Sequence, residues 1–265
     1  MTDLTELPAA QDAPAEKERR ADWLFSRPIA HRGFHDSKIG IYENSIPAFK
    51  RAAKNAFNIE TDLYLLKDGA IAAFHDLTLK RLCGQDVKIT ELTSTELKKF
   101  RLGESDDGIP LLDELLDEIN GSTGLLLEFK TLSLNGALEQ AAYKLLKNYG
   151  GNFAVQSFNP YSVSWFKKHA PDIYRGQLAA FIEGSRLEKG LLYALKSLRF
   201  KKMNKPDFIA YRFENLPNKY VGAAVAEGKK LLTWTVKSQA DADKAVAEFK
   251  CDNYIFEDFD PNERL

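Results

Sequence analysis

Cysteine is almost absent from this sequence. Its two residues, Cys83 and Cys251, lie far apart and in no paired motif. That excludes a disulfide framework and a cysteine-based zinc site. There is no basic excess either: Lys+Arg 37 against Asp+Glu 38 leaves a net charge of -1. A dedicated nucleic-acid binder usually carries a strong positive surplus, so no nucleic-acid partner is expected. No stretch of about 18 apolar residues occurs, so no membrane-spanning helix or stable membrane insertion is expected. The first twenty residues lack the apolar segment of a secretory signal, which makes a cytoplasmic location the default expectation. Nor does a Gly/Ser linker or a low-complexity segment divide the chain.

What is present suits one large α/β domain. The chain has 265 residues, 44% of them hydrophobic, which is enough to bury a substantial core. Residues 1–25 read as a flexible polar tail. Beyond them nine short apolar runs alternate with helical patterns: 28–33, 57–66, 70–76, 124–130, 153–158, 174–181, 207–213, 230–236 and 253–258. Several are apolar on both faces, as strands in a helix-covered parallel sheet must be. Helices are expected over 44–56 with Asn44 as N-cap, over a short segment opened by a Thr93–Glu96 capping box, and from Pro110 as the first helical residue. Further helices are expected over 135–148, 159–169, 187–202, 215–228 and 238–249.

One connection differs from the others. Only Lys67, Asp68 and Gly69 separate the second and third runs, which is a hairpin turn and too short for a helical crossover. The third strand therefore runs antiparallel to the second. Setting it aside leaves eight strands joined mostly by helices, the pattern of a (β/α)8 TIM barrel with a hairpin arm. An open doubly wound sheet is the alternative, but HRGFHDSKIG after the first strand is not a dinucleotide fingerprint.

The hairpin brings polar residues together. Glu60 and Asp62 are two apart on a strand and share a face. In a regular register the turn pairs Asp62 with Phe74, which sets His75 beside both carboxylates. His31 and Arg32 end the first strand, and Glu128 and Lys130 end the fourth run. The C-terminal strand ends of a barrel converge on one rim. Three carboxylates suit a hard cation such as Mg2+ or Ca2+. Arg32 and Lys130 suit a phosphate. Two imidazoles can serve as general acid and general base near neutral pH. Of the other two histidines, His35 lies one turn beyond the first motif and His169 sits in a helical stretch; both read as incidental.

These residues resemble the glycerophosphodiester phosphodiesterase family. The matching segments are IAHRGF (29–34), ENSIPAF (43–49), NIETDLYLLKDGAIAAFHDLTLKR (58–81), IPLLDELL (109–116), LLLEFK (125–130), QSFNP (156–160), TWTV (233–236) and IFED (255–258). The resemblance implies a (β/α)8 barrel over residues 26–265, with a small insertion at about 77–108. It implies His31 and His75 as the acid–base pair, and Glu60, Asp62 and Glu128 as ligands of a divalent metal. Arg32 and Lys130 would contact phosphate, Glu43 would lie beside the site, and Phe158 and Trp234 would wall the substrate pocket. The expected substrate is a small glycerophosphodiester, hydrolysed to sn-glycerol 3-phosphate and an alcohol. A lysophospholipid or phosphoinositol diester, or a barrel that only binds such diesters, are the alternatives. Three positions depart from the pattern. Tyr42 stands where Pro usually precedes Glu-Asn, Lys237 where Asn commonly follows Trp-Thr-Val, and Glu257-Asp258 where the last strand commonly ends Thr-Asp.

Overall fold

A computed structural model describes residues 14–131, 133–181 and 189–263. Nine strands form: β1 (Ile29–Ala30), β2 (Asn58–Leu65), β3 (Ile71–Ala73), β4 (Leu125–Phe129), β5 (Phe153–Ser157), β6 (Arg175–Ala179), β7 (Phe208–Arg212), β8 (Lys230–Val236) and β9 (Asn253–Phe256). Each falls on one of the nine expected runs. Eight of them pair in parallel as a closed ring, β1-β2-β4-β5-β6-β7-β8-β9, because β1 pairs with both β2 and β9. The fold is the expected (β/α)8 barrel, with helices between successive strands.

β3 is the exception. It pairs antiparallel with the far half of β2 in the register Leu63–Ala73, Tyr64–Ala72, Leu65–Ile71. The ladder continues beyond the strand, Phe74 N donating to the Asp62 carbonyl at 3.0 Å. This is the register expected from the three-residue turn. Asp68 in that turn accepts from the backbone and hydroxyl of Ser94, at 2.8 and 2.7 Å, and so ties the arm to the segment after it. Residues 77–108 carry the short helices Lys80–Cys83 and Ser94–Leu97. Leu79, Ile89, Leu97 and Leu102 of this segment pack with Tyr64, Leu66 and Phe74 of the arm in one buried cluster. The insertion thus covers the arm. The Thr93–Glu96 capping box forms as expected.

Strand alternation sorts the side chains. Ile29, Leu126, Ala154, Leu178, Phe208, Leu232 and Ile255 fill the barrel interior as one cluster. Ile59, Leu63, Leu125 and Leu127 face the surrounding helices. By the same parity His31, Glu60, Asp62, Glu128, Lys130, Gln156 and Trp234 point inward, toward the C-terminal rim.

Four local expectations are corrected. Residues 14–20 and 23–26 are helical rather than a tail, and Leu24 is fully buried in the interior cluster. Asn58 and Asn253 at the strand starts donate to the carbonyls of Trp23 and Leu24, at 2.9 and 2.8 Å, so the second of these helices plugs the barrel floor. The remainder of the expected tail, residues 1–13, lies outside the described residues. The helix after the first strand is Ile46–Lys54 and its N-cap is Ser45, because Asn44 is held elsewhere. Pro110 does not open its helix, which starts at Leu112. Its carbonyl accepts from Ala73 N at 2.9 Å, which keeps it extended beside β3. The helix expected over 187–202 is two pieces, Lys189–Lys196 and Lys201–Asn204, separated at Leu198, whose φ of 56° cannot continue a helix.

Truncating the plug tests its contribution. Leu24→Ala should lower the unfolding free energy by about 2–5 kcal/mol, as for other fully buried leucines. Urea denaturation measures it, and a loss below about 0.5 kcal/mol would show that residues 23–26 do not seal the core.

Candidate active site

The turn after β1 builds one side of the site. Arg32 has φ 56° and Gly33 φ 80°. A Cβ at Gly33 would lie 2.9 Å from the Ala48 backbone, so only glycine fits. The turn is stitched to its neighbours: Gly33 N donates to the Glu60 carbonyl at 3.2 Å, and Asn44 N to the Arg32 carbonyl at 2.8 Å. Arg32 N also donates to Glu60 Oε2 at 3.1 Å.

Glu60, Asp62 and Glu128 converge from the adjacent strands β2 and β4, with one carboxylate oxygen of each within 4.8 Å of the others. None is more than 7% exposed. Burial and the like charges of Asp62 and Glu128 drive the Glu60 carboxyl well above its ordinary value. Burial also raises Glu128, against the pull of Lys130. Asp62 goes the other way: burial opposes its charge, but Lys130, His75 and Arg32 hold it well below the usual range. Lys130 Nζ lies 2.6 Å from Glu128 Oε1 and 3.0 Å from Asp62 Oδ1. The second contact is at hydrogen-bond distance but poorly aligned. Three buried carboxylates that each bring an oxygen within 4.8 Å of the others fit a hard divalent cation, which takes oxygen ligands and needs this charge.

Around the triad runs a chain of alternating charge. Asn44 Nδ2 donates to Asp62 Oδ2 at 2.9 Å, while its Oδ1 accepts from Thr61 at 2.7 Å. Arg32 Nη1 donates to Glu43 Oε1 at 2.8 Å. Arg81 clamps the same Glu43 with both nitrogens, at 2.7 and 2.8 Å, and reaches Asp76 Oδ2 through Nε at 2.7 Å. Asp76 Oδ1 in turn lies 2.7 Å from His75 Nδ1. Glu43 is thus turned toward two guanidinium groups, and it is not on the wall of the central cavity.

His31 and His75 both line that cavity, which has a volume of about 230 Å³. Arg32, Glu60, Glu128 and Lys130 line it with them, as do Phe158 and Trp234, whose rings meet edge to face at 5.5 Å. Gln156, Leu178 and Ile255 also line it. His31 Nδ1 lies 2.6 Å from Glu257 Oε2. Burial pulls the His31 imidazole below its ordinary value, against Glu257; the hydrogen bond from His31 holds the Glu257 carboxyl at about 2. A larger cavity of about 650 Å³ adjoins on the outer side and shares Glu43, Arg81 and Glu257 with this network. The smaller one contains the convergent chemistry.

All ten residues expected at the site are therefore gathered at one rim, nine on the cavity wall or in the triad and Glu43 just behind Arg32. Five further residues join the site without a signal in the sequence that assigns them to it. Asn44 has the sequence setting of a helix cap. Asp76 and Arg81 fall in the His-Asp segment and Gln156 in Gln-Ser-Phe, where spacing gives them no role. Glu257 stands out only as a departure from the family pattern.

A barrel whose rim gathers two carboxylate-backed imidazoles and two basic groups around a buried acidic triad is the setting of a phosphoric diester hydrolase. Comparison with known proteins agrees. The Glycerophosphoryl diester phosphodiesterase family profile matches residues 31–260. A glycerophosphodiester phosphodiesterase of Caldanaerobacter subterraneus subsp. tengcongensis is 32% identical over 82% of this chain and 88% of its own. The human lysophospholipase D GDPD1 is 29% identical over 50% of this chain and 44% of its own. Among solved structures, an Oleispira antarctica phosphodiesterase in complex with the product sn-glycerol-3-phosphate superposes with TM-score 0.76, at 24% identity over 91% of this chain and 96% of that one. A glycerophosphodiester phosphodiesterase from Thermotoga maritima superposes with TM-score 0.67, at 22% identity over 88% and 95%. The chain belongs to the glycerophosphoryl diester phosphodiesterase family, and with it to the phosphoric diester hydrolases. Among the described residues no helix is long and apolar enough to cross a membrane.

The raised Glu60 carboxyl makes a stability prediction. Folded Glu60 keeps a proton that the unfolded chain loses near pH 4.5, so the cation-free protein loses stability as pH rises above that value. Glu60→Gln removes this term and keeps the acceptor for Arg32 N. At pH 8 the cation-free variant should melt at least roughly 2–4 °C above the wild type, and Mg2+ or Ca2+ should raise the wild type more than the variant. Calorimetric scans with and without cation read both. A variant that melts lower, or that gains as much from cation as the wild type, would contradict the charge accounting.

Proposed function

We propose that the protein hydrolyses a small glycerophosphodiester to sn-glycerol 3-phosphate and an alcohol in the 230 Å³ cavity. The observation that carries this reading is the convergence of His31 and His75, each backed by a carboxylate, on the wall that also holds Arg32, Lys130 and the acidic triad. Glu60, Asp62 and Glu128 would hold Mg2+ or Ca2+, both hard cations with oxygen ligands. When bound, the cation supplies Lewis-acid stabilisation of charge on the phosphoryl oxygens.

The side chains divide the remaining work. Arg32 offers a bidentate donor to the phosphoryl group, and Glu43 with Arg81 behind it keeps the guanidinium aimed. Lys130 adds a point charge once it exchanges a carboxylate for phosphate. His75 accepts the proton of the attacking hydroxyl, from water or from the neighbouring glycerol 2-hydroxyl. His31 gives a proton to the departing alcohol oxygen. His75 takes the base role because its side chain is 33% exposed and can release its proton to solvent between turnovers; His31, 14% exposed, takes the acid role, and Glu257 and Asp76 each back their own imidazole. Attack by the 2-hydroxyl would give a cyclic intermediate and has already lost the entropy of bringing reactants together. Gln156 Oε1 and Trp234 Nε1 are buried without partners on or beside the same wall, and suit the hydroxyls of the glycerol moiety. The small volume favours a glycerol head over an acyl chain.

Purified protein should release sn-glycerol 3-phosphate from glycerophosphocholine and glycerophosphoethanolamine with Mg2+ or Ca2+, and lose that activity in a chelator. His75→Ala should lower kcat by about 10²–10⁴. Product formation unchanged by chelation would refute the metal assignment, and full activity of the variant would refute the acid–base pair. Failure to turn over either diester with either metal would leave a binding role.

A further inference from the structure

Two of the departures from the family pattern meet in space. Lys237 and Glu257 directly follow the neighbouring strands β8 and β9, and Glu257 N donates to the Val236 carbonyl at 2.9 Å. Lys237 Nζ lies 3.8 Å from Glu257 Oε1 and 3.1 Å from Asp258 Oδ2. The other oxygen of Glu257, Oε2, is the one 2.6 Å from His31 Nδ1.

The unequal distances say what the carboxylate is for. At 3.8 Å the lysine contact is a charge contact and not a hydrogen bond, and Lys237 has a nearer partner in Asp258. The short, direct contact of Glu257 is to the imidazole. An ionised carboxylate has no proton to give, so the hydrogen between the two groups belongs to Nδ1. That fixes neutral His31 as the Nδ1–H tautomer. A free imidazole side chain in water prefers the opposite one. The remaining nitrogen, Nε2, is then the one available to the cavity that His31 lines with Arg32 and Glu60.

We infer that Glu257 is a positioning residue for His31, fixing its tautomer and ring orientation so that Nε2 faces the reacting phosphodiester, and that Lys237 anchors Glu257 from the outer side. The inference rests on the proposed role of His31 in phosphodiester hydrolysis. Thr, the residue the family pattern carries at this position, has no charge to stabilise an imidazolium. This chain supplies that charge and the cation that steadies it from two adjacent strand ends.

Glu257→Thr tests the inference on the full-length protein. kcat should fall about 10–100-fold, as when a group that orients a functional histidine is lost. KM for glycerophosphocholine and calorimetric Mg2+ affinity should stay within about twofold. Lys237→Asn should cost less than about fivefold, since its contact is long and half-exposed. Nitrogen-15 NMR of the imidazoles, assigned with His31→Gln, should show His31 carrying its proton on Nδ1 in the wild type and shifting toward Nε2 in Glu257→Thr. Glu257→Gln keeps the acceptor and should retain the Nδ1–H tautomer. A wild-type His31 protonated on Nε2, or an unchanged kcat in Glu257→Thr, would overturn the inference. So would a loss of activity matched by loss of Mg2+ affinity, because that is the signature of a merely structural contact. If the wild type turns over no diester, the hydrolase reading fails, while the NMR result still decides the positioning of His31.

Discussion

Three carboxylates sit together, almost fully buried, in this protein, and nearly every special feature of its upper rim is a response to that. Like charges at such separations repel strongly where burial weakens their screening. The rim answers with fixed cations and donors: Lys130 between Asp62 and Glu128, Arg32 beside Asp62, Asn44 on the remaining Asp62 oxygen, and the Arg32 amide on Glu60. Even so, Glu60 and Glu128 stay displaced toward their protonated forms. A fold does not keep such a cluster for stability, because neutral residues of the same shape would cost less. The cluster makes sense as half of a site whose other half is a divalent ion.

The barrel makes the arrangement affordable. Closure puts β1, β2 and β4 side by side, and strand alternation sends Glu60, Asp62 and Glu128 to the same interior. The arm then returns the chain on itself, so that His75 comes back over the residues that β2 has just contributed. The insertion completes this by burying the outer face of the arm under Leu79, Leu97 and Leu102, and by delivering Arg81 to Glu43 and Asp76. Arg32, the triad and His75 are thus held by one network that runs through Glu43 and Arg81 to Asp76, while Glu257 holds His31 separately.

Much of this was legible in the amino-acid sequence because it depends on short periods. Strands apolar on both faces announced a covered parallel sheet. The three-residue spacing at Lys67–Gly69 forced a hairpin and, through it, the register that sets His75 beside Glu60 and Asp62. Glu-x-Asp and Glu-x-Lys each placed two polar groups on one face. What escaped depends on distance through space. Glu257 is 226 residues from its imidazole partner. Asn44 carries every mark of a helix cap, and Ser45 takes that role while Asn44 spends its amide on Asp62 and Thr61. The floor plug hides in a short segment, Ala21 to Phe25, whose apolar character is too brief to show a period.

The most direct test of the account is to locate the ion. Crystals soaked in Mn2+, a hard-cation substitute for Mg2+ with a usable anomalous signal, should give one strong peak among the carboxylate oxygens of Glu60, Asp62 and Glu128, with the Lys130 ammonium moved from between them. A peak elsewhere, or an unmoved Lys130 with no density among the three carboxylates, would contradict the claim that this buried charge exists to hold a cation.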